Sequence, residues 1–333
     1  MKLRTAVVGV GHLGKQHARL HASLAAENQI EFVAVCDSDE RVARAIAAAS
    51  EVAWLPDWRA LVGRVDAVSL AVPTEAHSAI GCALLAAGVH VLVEKPISRT
   101  LAEADALIAA ARQGNAVLQV GHLERFNPAL VALKPHVRQP LYFEIHRIGE
   151  FTARSLDIDV VLDLMIHDLD IVQWLVGPAV PVTDVRAVGL PVLTRHVDAA
   201  NVRLEFASGA VANITASRVG TEKIRKMRFF QPHDYVAVDY TTRHASISSL
   251  APLAPGAARP GVDTRLLIAP DVEPLRAEIE AFIASITDHR LPAVSGDDGR
   301  RALALALRAL DRIHEHAENA GLGIFMNGGI SEN

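Results

Sequence analysis

Asp163 and His167 stand four residues apart in the run VLDLMIHDLDI, so on a helix the carboxylate and the imidazole share one face about one turn apart. An imidazole titrates near neutrality and can take a proton from an alcohol, while a nearby carboxylate orients it or balances its charge. Lys95 is a third such group: it follows the apolar run Val89 to Val93 and Glu94, and it precedes Pro96. Proline fixes the turn, and a lysine at the carboxyl end of a parallel strand can polarise an oxygen or relay a proton. Taken alone, an Asp-x-x-x-His pair is more often an ordinary helical pair, and Lys95 has a plain alternative in a salt bridge with Glu94. His167, Asp168 and Asp170 do not face one direction from a single helix, so no metal site is read here.

A partner for such proton chemistry is written at the start of the chain. Gly9, Gly11 and Gly14 in VVGVGHLG, with His12 and Leu13 between them, satisfy G-x-G-x-x-G after a strand and at the opening of a helix. The first glycine permits a tight turn, the second lets a pyrophosphate approach the backbone, and the third allows close packing, with the helix N-terminus facing the phosphates. Asp37 ends the second strand at the distance expected of a carboxylate that binds ribose hydroxyls. With Ser38 next to it and no adjacent basic residue, Asp37 favours NAD over NADP; Arg41, one helical turn on, is the group that would argue otherwise.

These residues need a scaffold, and the chain of 333 residues, half of them apolar, is long enough for two domains. A formal charge of -5 gives no general attraction to nucleic acid or an anionic membrane, so an anionic substrate must be held locally. No run reaches the ~18 apolar residues of a membrane span, and Met1-Lys2-Leu3-Arg4 leads straight into a strand, so a cytoplasmic protein is expected. Cys36 and Cys82 sit in apolar stretches and read as reduced core thiols.

Strands are read at residues 3 to 8, 31 to 36, 66 to 72, 89 to 93 and 117 to 120, with a weaker one at 52 to 54, alternating with helices. That alternation predicts a parallel sheet covered on both faces. Thr100 and Glu103 make a capping box for one helix, and Gly114 is read as its left-handed stop. After Gly121 come helices near 128 to 137 and 159 to 176, an apolar strand YFEIHRIGEF, and extended segments near 182 to 190, 198 to 206, 210 to 217, 226 to 231 and 235 to 239. Ser208-Gly209 is read as a hairpin turn, 251 to 261 as a loop, 272 to 288 and 297 to 318 as helices, and the tail NGGISEN as mobile.

The glycine turn, Asp37, Ala71-Val72-Pro73-Thr74, Glu94-Lys95-Pro96 and Asp163-x-x-x-His167 together resemble the Gfo/Idh/MocA oxidoreductase family over nearly the whole chain. The resemblance implies an α/β protein: an N-terminal NAD-binding Rossmann domain with a doubly wound parallel sheet over residues 1–122, then an α+β domain over 123–333. The second domain would carry a large, mostly antiparallel, open-faced sheet for substrate binding and oligomerisation. It implies Lys95, Asp163 and His167 as the catalytic group. Cofactor contacts would come from Gly9, Gly11, His12, Leu13, Gly14, Asp37, Ser38, Val72, Pro73, Thr74, His77, Glu94 and Lys95. The chain departs from many members in having Val160, Val161 and Met165 where glycines are common.

GHLERFNP, residues 121 to 128, and RSLDIDVVLDLMIHDLDI, residues 154 to 171, further resemble a subgroup that oxidises the C3 hydroxyl of UDP-N-acetylglucosamine for a partner aminotransferase, in some bacteria on the route to lipid A. On that reading Lys95, Asp163 and His167 also contact the sugar. His122 and Arg125 offer donors to a diphosphate, and Asn127 can bond a sugar hydroxyl or the nicotinamide amide; for Arg125 an interdomain salt bridge is the alternative. Two other functions stay open: another sugar or inositol dehydrogenase of the family, and a cofactor-binding sensor without chemistry. An uncovered apolar sheet face would imply a homodimer or homotetramer built face to face. No nucleic acid or membrane partner is expected.

Overall fold

The computed structural model describes residues 2–151, 158–251 and 261–322. It divides into two compact units, Met1–Leu123 with Glu273–Leu303, and Glu124–Val272 with Ala304–Asn333. A single cut after residue 122 therefore misplaces residues 273–303, which belong to the first unit. The physical reason is the apolar stripe of helix α7 (Pro274–Thr287), whose Ile279, Phe282 and Ile286 share one buried cluster with Leu20, Leu24, Ile30, Ala67 and Leu92.

The first unit holds a six-stranded parallel sheet of β1 (Leu3–Val8), β2 (Ile30–Cys36), β3 (Ala53–Leu55), β4 (Ala67–Leu70), β5 (His90–Glu94) and β6 (Leu118–Gly121). Its order is β3-β2-β1-β4-β5-β6. Strand order reverses between β1 and β4, which puts a ligand crevice outside their carboxyl ends. Runs such as Val7-Val8 and Val91-Leu92-Val93 are buried because helices cover both faces. Those helices are α1 (Gly14–Ala26), α2 (Glu40–Ser50), α3 (Thr74–Ala86) and α4 (Leu101–Gln113).

The capping box at the start of α4 forms as expected, with Glu103 N donating to Thr100 Oγ1 at 3.2 Å and Thr100 N to Glu103 Oε2 at 3.1 Å. Its end differs. Gly114 has φ −85, and the left-handed residue is Asn115 at φ 50. Glycine is needed at 114 for space instead, since a Cβ there would lie 1.8 Å from Leu85 O at the end of α3.

In the second unit α5 (Pro128–Leu133) gives way to a 3-10 turn at Lys134–His136. Pro135 has no N–H to continue the ladder, so the single helix expected through residue 137 is interrupted. An eight-stranded sheet follows, of β7 (Tyr142–Glu150), β8 (Val182–Leu190), β9 (Ala199–Phe206), β10 (Val211–Gly220), β11 (Ile224–Gln231), β12 (Asp234–Asp239), β13 (His244–Leu250) and β14 (Val262–Leu267). Its order is β14-β13-β12-β11-β7-β10-β9-β8, antiparallel except where β7 pairs with β10. Gly209, at φ 84, makes the β9–β10 turn. The sequence reading missed β13 and β14. The first is rich in serine and the second is almost wholly exposed at the sheet edge, so neither shows an apolar run.

Alternate residues of this sheet face a core, among them Phe143, Ile145, Ala212, Ile214, Met227 and Phe229. The opposite face was expected to be apolar. It carries Glu144, His146, Asn213, Thr215, Lys226 and Arg228, with one aromatic cluster of Tyr142, Phe230 and Tyr235. The loop at 251 to 261 and the tail NGGISEN fall almost wholly or wholly outside the described residues, as do residues 154–157 of the second motif. No helix among the described residues is long and apolar enough to cross a membrane.

Candidate active site

The glycine turn in the first unit has the shape a dinucleotide requires. Gly9 has φ 82, and a Cβ on it would meet Ala71 C and O at 2.7 Å, so the β1 and β4 turns touch only because it is glycine. A Cβ on Gly14 would sit 1.8 Å from Gly9 O, whereas one on Gly11 would meet nothing within 4 Å. The turn is thus closed toward the sheet and open at Gly11. Helix α1 has no side-chain N-cap; Lys15 N and Gln16 N donate to Gly11 O and Leu13 O at 3.1 and 2.8 Å, and the positive end of the helix dipole is left for an anion such as a pyrophosphate. His12 and Leu13 are exposed beside it.

Asp37 braces this turn. Its carboxylate accepts from Val10 N at 2.7 Å and from Asp39 N at 2.9 Å, and its remaining lone pairs are available to ribose hydroxyls. Ser38 is exposed alongside. Thr74 opens α3 after Val72 and Pro73. His77, four residues into that helix, is buried and lies 2.9 Å from Val72 O and 3.1 Å from Pro96 O. It ties the β4 turn to the turn that carries Lys95. Burial holds its pKa below the ordinary value although the carbonyls pull the other way, so the ring is neutral and donates to one carbonyl at a time.

Lys95 is half-buried after β5, and its N–H donates to Glu94 Oε2 at 3.2 Å. Glu94 turns inward, with Oε1 2.9 Å from His17 Nε2 on α1. The ligating atoms of His17, Glu94 and Glu278, the last from α7, all lie within 4.8 Å of one another, close enough to share a proton or a cation. Glu278 is fully buried, with neither carboxyl oxygen hydrogen-bonded. Burial, reinforced by the charge of Glu94, pushes its pKa well up, so this carboxyl keeps its proton at neutral pH. Burial also acts to raise Glu94, but His17 and Lys95 outweigh it and hold its pKa down. His122 is buried as well, at 1% exposure.

In the second unit, Asp163 lies in a π-helical turn, Val161–Met165, that runs directly into α6 (Ile166–Val176), with His167 in the first turn of α6. Both are half-buried. The π turn falls among Val160, Val161 and Met165, all fully buried. The other acids of the motif face inward. Asp168 accepts from Arg147 Nε at 2.7 Å and Nη2 at 2.8 Å, and Arg147 also bonds Glu124 at 2.9 Å. Although burial opposes its charge, the fields of Asp168 and Glu124 hold the Arg147 guanidinium well above its ordinary pKa.

Asp170 accepts from Arg125 at 2.7 and 2.5 Å, and both partners are buried. Arg125 is therefore engaged within the second unit. Asn127 is engaged likewise: its oxygen caps α5 through Ala129 N at 3.1 Å, and its amide donates to Glu124 at 3.1 Å and Tyr240 O at 3.2 Å. Asp163 and Leu164 line a cavity of about 420 Å³ with Glu150, Arg218, Lys223 and Arg225. The sequence reading passed over His17, Glu278 and these three cations. One signal was visible: Glu278 lies on the apolar stripe of Leu275, Ile279, Phe282 and Ile286, where a charged residue is out of place.

Residues 3–122 match the model of an oxidoreductase family with an NAD-binding Rossmann fold, and residues 103–230 match the GFO/IDH/MocA C-terminal domain. The chain is 41% identical over 308 residues to a UDP-N-acetylglucosamine 3-dehydrogenase of Acidithiobacillus ferrooxidans, covering 92% of this chain and 96% of that one. An inositol 2-dehydrogenase of Rhizobium meliloti is 28% identical over 95% of this chain and 98% of its own. The solved structure of the Acidithiobacillus enzyme superposes with a TM-score of 0.87 at 38% identity, over 95% of this chain and 99% of that one. A levoglucosan dehydrogenase in complex with NADH and levoglucosan shares the fold, with a TM-score of 0.83 at 19% identity over 95% of this chain and 98% of that one. With the glycine turn, the Lys95 turn and the Asp163–His167 helix carried on that two-unit fold, this chain belongs to the Gfo/Idh/MocA oxidoreductase family and has its NAD-binding Rossmann domain.

Proposed function

We propose that this protein oxidises the C3 hydroxyl of UDP-N-acetylglucosamine to a 3-keto sugar with NAD+, producing a substrate for an aminotransferase of amino-sugar or lipid A synthesis. The observation that carries the reading is the 41% identity to a UDP-N-acetylglucosamine 3-dehydrogenase, which extends through both units and not over the Rossmann domain alone.

The open side of Gly11, with His12, Leu13 and Gly14, would hold the pyrophosphate of NAD. Asp37 and Ser38 would take the adenosine ribose. Val72, Pro73 and Thr74 would line the path toward the nicotinamide, with His77 and Glu94 bracing the two turns. Bound nicotinamide supplies the acceptor for the hydride that leaves C3. His167 removes the hydroxyl proton, Asp163 orients the imidazole and balances its charge, and the Lys95 ammonium stabilises the developing alkoxide. In this scheme Arg125 and Asn127 act through their buried partners, setting α6 and α5, while His122 lies buried directly after β6. Assembly as a homodimer or homotetramer is a separate proposal, supported by the aromatic cluster at Tyr142, Phe230 and Tyr235.

The test is incubation with NAD+ and a panel of UDP-hexoses, free sugars and inositols while NADH absorbance is followed. UDP-N-acetylglucosamine should be the preferred substrate; preference for an inositol or a free sugar would replace this reading with the neighbouring one. His167→Ala should lower turnover about 100- to 10,000-fold with NAD+ affinity nearly unchanged. A near wild-type rate would remove His167 as the base.

A further inference from the structure

Besides Asp163 and Glu150, the cavity is lined by three cations, most of which form no ion pair among the described residues. Arg218 is the exception. It is buried, lies 3.6 Å from Asp198, and donates to Ile158 O, so it serves the wall of the cavity. Lys223, in the turn from β10 to β11, and Arg225, at the start of β11, have no hydrogen-bond or ion-pair partner among the described residues. The reason is the sheet register. Arg225 sits directly across from Arg147 on β7, and Arg147 already occupies Asp168 and Glu124. Burial and the charge of Arg147 hold the Arg225 pKa down and outweigh the supporting fields of Glu124, Asp168 and Asp163, so an arriving anion would gain a charge-assisted contact.

A second cavity of about 660 Å³, bordered by Glu144, His146, Glu222, Lys226, Arg228 and Asp239, lies on the opposite face of the sheet and is separate from the first. A substrate with a reactive hydroxyl on one side of a hexose ring and a phosphate on its anomeric oxygen needs a carboxylate-bearing pocket for the sugar with cations in its lining, and the Asp163 cavity has both. Its volume of about 420 Å³ suits a hexose.

We propose that Lys223 and Arg225 bind the pyrophosphate of a nucleoside diphosphate sugar whose sugar lies in the cavity of Asp163. This rests on the reading of Asp163 as part of the reaction site and deepens it, because it moves phosphate recognition from Arg125, which Asp170 engages, to the β10–β11 turn. A sugar or inositol without a phosphate would leave these two cations unpaired and bind weakly, which supplies specificity in the form of an unsatisfied charge.

Titration calorimetry of UDP, and separately of inorganic pyrophosphate, into wild type, Lys223→Gln, Arg225→Gln, the double variant and Arg225→Lys tests the site without any turnover. UDP affinity should fall about 10- to 100-fold in each Gln variant and further in the double variant, with Arg225→Lys recovering part of the loss. NAD+ affinity, measured on the same samples, should stay at the wild-type value and certify folding. The KM for UDP-N-acetylglucosamine should rise by a similar factor with kcat little changed, as for binding shared by ground and transition states. Wild-type UDP affinity in the double variant, or no UDP binding by the wild type, overturns the proposal. Absence of turnover on every UDP-hexose would overturn the proposed function and leave the UDP titration to decide the phosphate site by itself.

Discussion

Replacing Asp168 by Asn should destabilise the second unit by about 3 kcal/mol, and the figure follows from what the side chain touches. Asp168 is fully buried and takes two hydrogen bonds, at 2.7 and 2.8 Å, from an arginine that is 2% exposed. Asparagine keeps the shape, loses the charge, and sets one N–H group against the Arg147 donors. Breaking a buried pair from one side costs roughly 3–5 kcal/mol because the remaining charge is stranded. Here Glu124, 2.9 Å from Arg147, still offers half a partner, which places the cost at the lower end. Urea denaturation measures it if the units are read separately. Trp174 on α6 is the only tryptophan of the second unit, so a Trp54→Phe/Trp58→Phe background makes fluorescence specific to it. Adding Arg147→Met to Asp168→Asn should recover part of the loss, since it removes the stranded guanidinium and leaves only Glu124, which still accepts from the Asn127 amide. A loss below about 1 kcal/mol, or a double variant no more stable than the sum of the singles, would refute the stranded-charge reasoning.

Glu278→Gln should stabilise the first unit at pH 8 and have no effect at pH 4. Its folded pKa is raised, so the folded state keeps a proton that the unfolded chain releases above about 4.5, and stability falls as pH climbs past that value; Gln removes the dependence. The groups facing it are His17 of α1, Glu94 of β5 and Gln119 of β6, the last bonded to the Glu278 backbone O at 3.0 Å. Equal urea midpoint shifts at both pH values would contradict this. Gly14→Ala would place a Cβ 1.8 Å from Gly9 O, more than an ångström inside any tolerable contact. The NAD+ Kd should rise about 10-fold or more while the Trp174 transition stays in place, and unchanged NAD+ affinity would mean that the turn does not set the phosphate site.

What was legible in the sequence was what neighbouring residues decide among themselves. The strand, glycine turn and helix from Leu3 to Ala26, the Asp37 at the end of β2, and the Thr100 capping box each depend on contacts within a few tens of residues. What was not legible depends on partners far along the chain. Residues 273–303 return to the first unit because one face of α7 fits the cluster around Leu20 and Leu92. No local pattern tells that face from one that would close the second unit. The π turn at Asp163 likewise has no local sequence signal, and β14 has too little buried surface to mark it as a strand.

The same distinction bears on how the motifs should be read for chemistry. In VLDLMIHDLDI, Asp163 and His167 stay half-exposed while Asp168 and Asp170 turn inward to arginines. In GHLERFNP, the polar residues His122, Arg125 and Asn127 are all buried, the last two with their hydrogen-bonding groups engaged inside the second unit. Burying a charge or an amide without a partner costs several times more than pairing it gains, so each inward residue must have its counterpart from another element. A motif that keeps both halves of such pairs therefore reports on the fold of the catalytic helix first and on the substrate only indirectly. Discrimination between a nucleotide sugar and an inositol should then lie in positions no motif marks. Lys223 and Arg225 are such positions, because neither forms an ion pair among the described residues.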